Sequence, residues 1–321
     1  MVHTHFNLAL IQWIADHRNI GLTRLFLFFT AVGDTNGYIA VATVIYLIWD
    51  KKLAIRASIL VLATICFNHI LKIWIKNPRP FVTQGTYQRE WAIPPQDAPG
   101  LALDYSTPSG HAMAAASFYP YLYAAVNNRV FRVCAVALPL LIGLSRPYLG
   151  VHYVEDVVIG WAIGFLLAVS GVKYGDLIEK RWDNLFYIQQ IGIAVCVSLF
   201  VCVLTILVNN WRFDSQPRTY MGYAGFLTGV IIAHPLERRY LRFNPRSSSV
   251  PAKILRCVLS ITLVIITLWF LGHAFAKFAD KISVSGYALE FLRYAIAGIV
   301  SIYVAPLIFI KVNLVEQMHE Q

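Results

Sequence analysis

Long apolar runs separated by short polar ones dominate this chain, and several runs are longer than a soluble helix needs. Residues 188–208 and 258–274 are nearly free of charge, and about 20 apolar residues is what a helix needs to cross a bilayer. Continued along the sequence, the pattern predicts ten membrane helices, near 20–34, 37–50, 53–75, 110–126, 130–146, 152–173, 187–208, 219–234, 252–275 and 287–310. Ahead of them, residues 6–17 read as a short amphipathic helix lying on the membrane surface. A polar stretch after Lys173 reads as a linker, and the longest connection, 77–107, is rich in Pro, Gly and Gln. Two readings of that connection stand open: a rim over a site, or a set of interfacial anchors built from Phe81, Tyr87, Trp91 and Tyr105.

Composition supports the bilayer as solvent. The 321 residues are 58% hydrophobic and 14% charged, against about 25% charged in soluble domains. The net charge of +10 does not point to nucleic acid, because the basic residues sit in loops between apolar segments. Lys51, Lys52, Arg56, Arg129, Arg132, Lys180 and Arg181 fall in alternate connections, as do Arg238, Arg239, Arg242 and Arg246. An excess of Lys and Arg marks the cytoplasmic side. With ten crossings, both termini are then expected inside. The five cysteines, Cys66, Cys134, Cys196, Cys202 and Cys257, show no CxxC spacing and read as free thiols.

Three motifs interrupt the apolar text, and all fall at predicted helix ends on the extracytoplasmic side. Lys72 and Arg79 lie seven apart across a helix end that Pro78 and Pro80 stiffen. Arginine offers a planar fork to phosphate oxygens and lysine a point charge; alone, the pair is equally readable as snorkelling side chains. In Pro108-Ser109-Gly110-His111, Ser106 or Thr107 is expected to cap a helix with Pro108 in its first turn. The backbone N–H groups of Ser109 and Gly110 then face an anion at the positive end of the dipole, with His111 beside it. In the third motif, His152 and Asp156 are one helical turn apart, so the carboxylate can orient the imidazole, and Arg146 adds a third cation. His69, one turn before Lys72, reads as a packing histidine or a support for the site.

His111, His152 and Asp156 form a possible metal triad. Lys72, Arg79 and Arg146 would repel a divalent ion from the same pocket, whereas three cations suit a phosphoryl group. Neither a metal nor a cofactor is expected.

The pattern K-x6-RP, PSGH and SR-x5-H-x3-D resembles that of the type 2 phosphatidic acid phosphatase superfamily, matched at Lys72, Arg79, Pro80, Pro108, Ser109, Gly110, His111, Ser145, Arg146, His152 and Asp156. The resemblance implies an all-α polytopic membrane protein: a six-helix phosphatase core over 20–173, following an N-terminal segment at 1–19. A linker at 174–186 and about four additional C-terminal transmembrane helices over 187–321 complete it. It also implies a phosphohistidine route. His152 attacks, Asp156 orients it, and His111 serves as acid and then base. Lys72, Arg79, Ser109, Gly110 and Arg146 hold the phosphoryl oxygens. The partner implied is a lipid phosphate or diphosphate entering from the bilayer, with undecaprenyl diphosphate first. Phosphatidic acid, phosphatidylglycerol phosphate and sphingoid phosphates follow. A lipid phosphotransferase and a transporter with a phosphate-binding site are the rival readings.

Overall fold

The computed structural model describes residues 8–83, 92, 101, 104–208 and 215–317, with the backbone alone at 8, 83, 205, 208 and 215–219. Helices follow one another with no strand among the described residues: α1 (Leu8–Asp16), α2 (Ile20–Val32), α3 (Thr35–Ile48), α4 (Lys51–Ile75), α5 (Gly110–Ala125), α6 (Arg129–Tyr148) and α7 (Val154–Asp183). Then come α8 (Tyr187–Val208), α9 (Ser215–Leu236), α10 (Val250–Phe275), α11 (Val284–Ile299) and α12 (Ala305–Lys311), with π-helical turns at Glu237–Leu241 and Val300–Val304. Each of the ten predicted membrane segments is helical. The stretch expected as a linker, 174–186, is mostly the last turns of α7, which runs unbroken to Asp183.

The chain divides into two compact units, one of Met1–Ile39 with Ala63–Gly175 and one of Ala40–Leu62 with Asp176–Gln321. Six of the described helical segments are long and apolar enough to cross a membrane, and α2 with α3 forms a further, broken pair bent by 61°. Their outward faces are apolar. Val133, Val136, Leu140 and Leu144 on α6 and Phe165, Leu166 and Val169 on α7 are exposed, a patch that water would not tolerate and lipid does.

In the first unit, α5 is the enclosed helix. Its sequence is rich in alanine, and Ala112 through Tyr119 are buried without interruption. Small residues let helix backbones approach closely in a membrane, and α7 presents Gly160 and Gly164, one turn apart, to α5. A Cβ on Gly160 would lie 2.8 Å from the Ser109 carbonyl oxygen, and one on Gly164 2.2 Å from that of Met113. The start of α5 is thereby seated against the first turns of α7. Trp161 anchors α6 to α7 by donating its indole N–H to the Pro139 carbonyl at 3.0 Å.

The bend between α2 and α3 has a steric cause. Gly37 allows the end of α2 to fold close, since a Cβ there would meet the Val32 carbonyl oxygen at 2.2 Å, and Gly33 fits against Ile142. Arg18 donates to the Tyr148 carbonyl at 2.8 Å, and Thr23 meets the Tyr148 hydroxyl at 3.2 Å. The start of α2 therefore lies at the motif-bearing end of α6, not at its far end. Two crossings were expected of these short helices; bent by 61°, the pair is a broken span or a re-entrant loop.

In the second unit, α9 and α11 cross in the same manner as α5 and α7. Cβ atoms on Gly225 and Gly229 would lie 2.2 Å and 2.1 Å from the carbonyl oxygens of Phe291 and Ala295, and one on Gly298 2.6 Å from that of Phe226. Lys51 pairs with the fully buried Glu237 at 2.9 Å in this unit. All five cysteines are free thiols.

Candidate active site

Four helix ends bring the motifs together at one end of the first unit. α4 delivers Lys72, α5 starts at Gly110, α6 delivers Arg146, and α7 starts two residues after His152. Lys72, Arg79, Ser109, Arg146, His152 and Asp156 are all buried, while Gly110 and His111 are half-buried. Burial of this many polar groups at once is costly unless each is partnered or serves a ligand.

Asp156 is the hub. Its Oδ2 accepts from the Ser106 hydroxyl at 2.5 Å and from the Tyr153 N–H at 2.9 Å. Its Oδ1 accepts from the Thr107 hydroxyl at 2.5 Å. The same residue's carbonyl accepts from the Ser109 N–H at 2.9 Å. His152 Nδ1 lies 3.4 Å from Oδ2 and 3.3 Å from the Ser106 hydroxyl. One carboxylate thus ties the second motif's loop to the third motif's histidine.

These bonds correct the expected cap. Ser109, not Ser106 or Thr107, occupies the N-cap of α5, and its side chain makes no capping bond. Pro108 lies before the helix rather than in its first turn, because the hydroxyls of Ser106 and Thr107 are committed to Asp156. The Ser109 N–H is likewise committed, so it does not face an anion. Gly110 and His111 open the helix ahead of its first Met113-to-Ser109 bond, so of the two N–H groups expected to face an anion that of Gly110 stays at the helix start. The Ser109 hydroxyl is buried without a partner.

The first motif approaches from the other side. Arg79 Nη1 donates to the Val151 carbonyl at 3.0 Å and lies 3.2 Å from His152 Nε2. A guanidinium has no lone pair to offer, so Nε2 is the acceptor there and Nδ1 carries the proton, directed at Asp156 and Ser106. Burial, and then the charges of Arg79, Lys72 and Arg146, hold the His152 imidazole well below its ordinary range. The Nε2 lone pair of His152 thus faces Arg79.

Arg146 donates to Thr30 at 3.0 Å, and its Nε is buried without a partner. Asn68, one turn before Lys72, donates to the Pro108 carbonyl at 3.0 Å, and Asn77 donates to the Thr107 hydroxyl at 2.8 Å. His69 is buried beside this layer. The rim expected over 77–107 falls largely outside the described residues, as do Tyr87 and Trp91. Of its described part, Ala92 and Leu101 pack on the cluster of Phe81, Leu149 and Val151.

The sequence reading missed Ser106 and Thr107 as acceptor-orienting groups, and it missed Asp104 altogether. Asp104 forms ion pairs with Lys72 and, at 2.7 Å, with Arg79 Nη2. Burial disfavours its charge, but Lys72 and Arg79 outweigh that and hold its carboxyl well below the usual range.

A helical membrane protein with cations, histidines and a helix start gathered at one end of a unit is the class that fold and site define. Sequence profiles make the assignment specific: the PAP2 superfamily matches residues 52–176, and the transmembrane extension of PAP2 superfamily phosphatases matches 221–317. The chain belongs to the PAP2 superfamily. It is 31% identical over 122 residues to phosphatidylglycerophosphatase B of Bacillus subtilis, covering 35% of this chain and 53% of that protein. The match thus spans about half of that relative's length. It is 28% identical over 171 residues to an undecaprenyl-diphosphatase of Sulfolobus acidocaldarius, covering 52% and 78%. Identity to undecaprenyl-diphosphatase BcrC of B. subtilis is 26% over 181 residues, covering 54% and 86%. The crystal structure of Aquifex aeolicus LpxE is similar over 54% of this chain and 99% of that one, with a TM-score of 0.45 and 22% identity.

Proposed function

We propose that this protein is a membrane lipid phosphatase that works through a phosphohistidine at His152. The observation that carries the reading is the convergence on Nε2: a buried neutral imidazole, oriented from behind by Asp156 and Ser106, with Arg79 Nη1 3.2 Å from its lone pair. Nε2 attacks phosphorus, and the bond from phosphorus to the lipid-side oxygen breaks as His111 protonates that oxygen. Water then loses a proton to His111 and attacks the phosphohistidine. The phosphorus–nitrogen bond breaks, and phosphate leaves. Asp156 stabilises the positive charge that His152 acquires. Lys72, Arg79 and Arg146, with Ser109 and the N–H of Gly110, hold the phosphoryl oxygens, supplying the charge that a divalent metal supplies elsewhere. The reaction needs no metal on this reading.

Undecaprenyl diphosphate is the first-choice substrate, in keeping with the two relatives matched over most of their length; phosphatidylglycerol phosphate, phosphatidic acid and sphingoid phosphates follow. The lipid enters laterally from the bilayer. The site faces the extracytoplasmic side of the cell membrane, since Lys51, Lys52, Arg129, Arg132, Lys180 and Arg181 all sit at the opposite ends of α4, α5–α6 and α7.

A panel of lipid phosphates and diphosphates, assayed for released phosphate with wild type and His152→Ala in the presence of EDTA, tests this. Wild type is expected to release phosphate from at least one lipid and the variant from none. Wild-type silence across the panel overturns the phosphatase reading. Loss of activity in EDTA, restored by one metal, overturns the metal-independent chemistry. Transfer of the phosphoryl group to a second lipid, with no free phosphate released, assigns a phosphotransferase instead.

A further inference from the structure

Two cations of the proposed cradle are already occupied by an anion from the protein itself. The Asp104 carboxylate bridges Lys72 and Arg79 through a single oxygen, Oδ2. Its position is the one a phosphoryl oxygen requires if those two side chains are to bind phosphate. Asp104 comes from the segment leading into the second motif, three residues before the Thr107 that is tied to Asp156.

Three observations separate this carboxylate from an ordinary structural ion pair. The first is exposure: the Asp104 side chain is 25% exposed, against 5% for Lys72 and 3% for Arg79, so it is the outer member of the group. The second is how its backbone is held. Arg79 Nε donates to the Asp104 carbonyl at 2.9 Å, a bond that is independent of the carboxylate. The side chain can therefore rotate away while the main chain stays attached. The third is that the rest of the cradle is left unfilled. Arg146 Nε and the Ser109 hydroxyl are buried without a partner, and both are donors to which Asp104 does not reach. Asp104 satisfies one half of a site whose other half still lacks an acceptor. The same two cations hold its carboxyl well below the usual range and so favour its ionised form.

We propose that Asp104 is an internal anion that competes with the substrate's phosphoryl group for Lys72 and Arg79 and must swing out for that group to bind. This rests on the reading of the three motifs as a phosphate cradle. Two consequences follow from the competition. A tetrahedral oxyanion binds more weakly than the bare cations would hold it, because the apparent affinity is reduced by the fraction of molecules in which Asp104 has left. Phosphate, once formed, is also displaced by a carboxylate that is already tethered beside it.

The test measures anion binding without turnover. Full-length protein in detergent is titrated with orthovanadate, and separately with inorganic phosphate, and the shift in its thermal unfolding midpoint is followed. Asp104→Asn is expected to bind either anion on the order of tenfold more tightly than wild type, and Asp104→Glu, which keeps the charge, to stay within about threefold of wild type. If Asp104→Asn does not fold, Asp104→Ser carries the same comparison. Binding that weakens or is unchanged in the neutral variants overturns the proposal and makes Asp104 a strut for Lys72 and Arg79. Absence of anion binding in every protein overturns it as well, because the cations then form no cradle. Retained vanadate binding with no lipid cleaved by wild type sinks the phosphatase reading and leaves the competition intact.

Discussion

Gly160 and Gly164 in the first unit and Gly225 and Gly229 in the second perform the same steric role. Each pair removes two side chains from one helical turn and lets a neighbouring backbone approach closer than any Cβ permits. What differs is the chemistry around the crossing. In the first unit it seats the start of α5 against the start of α7, and the cations Lys72, Arg79 and Arg146 gather on that layer. In the second unit the half-buried Lys51 and the buried Arg256 are dispersed, each against acceptors of its own. Lys51 meets Glu237 and the Phe243 carbonyl at 2.9 Å each, and Arg256 meets the Ser247 carbonyl at 3.0 Å. Close packing is therefore a general device in this chain, and it becomes a site where helix ends deliver like charges to one point.

The largest effect that tests this contrast comes from the nucleophile. His152→Ala is expected to lower phosphate release by about 10⁴-fold or more. Glu237→Gln should lower the unfolding midpoint in detergent and leave turnover per folded molecule within a few-fold. A collapse of turnover in folded Glu237→Gln would mean that the second unit takes part in catalysis.

Next in size is a matched pair of overpacking variants. Gly164→Leu forces a side chain where the Met113 carbonyl sits, and Gly229→Leu does the same at the Ala295 carbonyl. The first is expected to lose about 100-fold in kcat even in its folded fraction, because displacing a catalytic group by about 1 Å costs that much. The second should reduce the yield of folded protein while kcat is kept. Equal kcat losses would erase the distinction between the two crossings.

A smaller change is expected at the hub. Ser106→Ala and Thr107→Val each remove one donor to Asp156 and are expected to lower kcat by roughly 10–100-fold, with KM within about threefold. A rise in KM at unchanged kcat would make these residues part of the binding surface instead.

The smallest effect is in pH dependence. Burial and the surrounding cations hold His152 well below its ordinary range of about 6.5, so protonation, which removes the attacking lone pair, begins at lower pH than usual. The acid limb of kcat/KM, which reports the free enzyme, should therefore lie below pH 6.5. A limb above that value would show that the cations do not act on His152.

The helices were legible because runs of apolar residues leave little alternative in a bilayer, and each of the ten segments is a helix. Their number of crossings was not legible. α2 and α3 each look like a short span, and nothing in the hydropathy distinguishes two crossings from two halves of one; the bend rests on local sterics at Gly33 and Gly37. The site was readable at His152, Asp156, Lys72, Arg79 and Arg146, whose spacing and charge carry the chemistry. Ser106 and Thr107 were read through the helix they precede, where small hydroxyl residues ordinarily cap. Their actual acceptor lies 50 and 49 residues downstream, a distance at which local sequence is silent. Asp104 was invisible for a related reason: a lone carboxylate in a polar connection carries no periodicity and belongs to no spacing.

Asp156 also sets an order of events during synthesis. Ser106 emerges 50 residues ahead of its carboxylate, a delay of about 3–10 s at ordinary elongation rates. Through that interval the growing chain holds the hydroxyls of Ser106 and Thr107 in or near the membrane with their shared acceptor not yet made. The nascent protein must keep this end hydrated, or shielded by insertion machinery, until α7 arrives. A chain arrested before Asp156 is accordingly a natural target for quality control, since it presents hydroxyl groups whose acceptor the finished protein supplies.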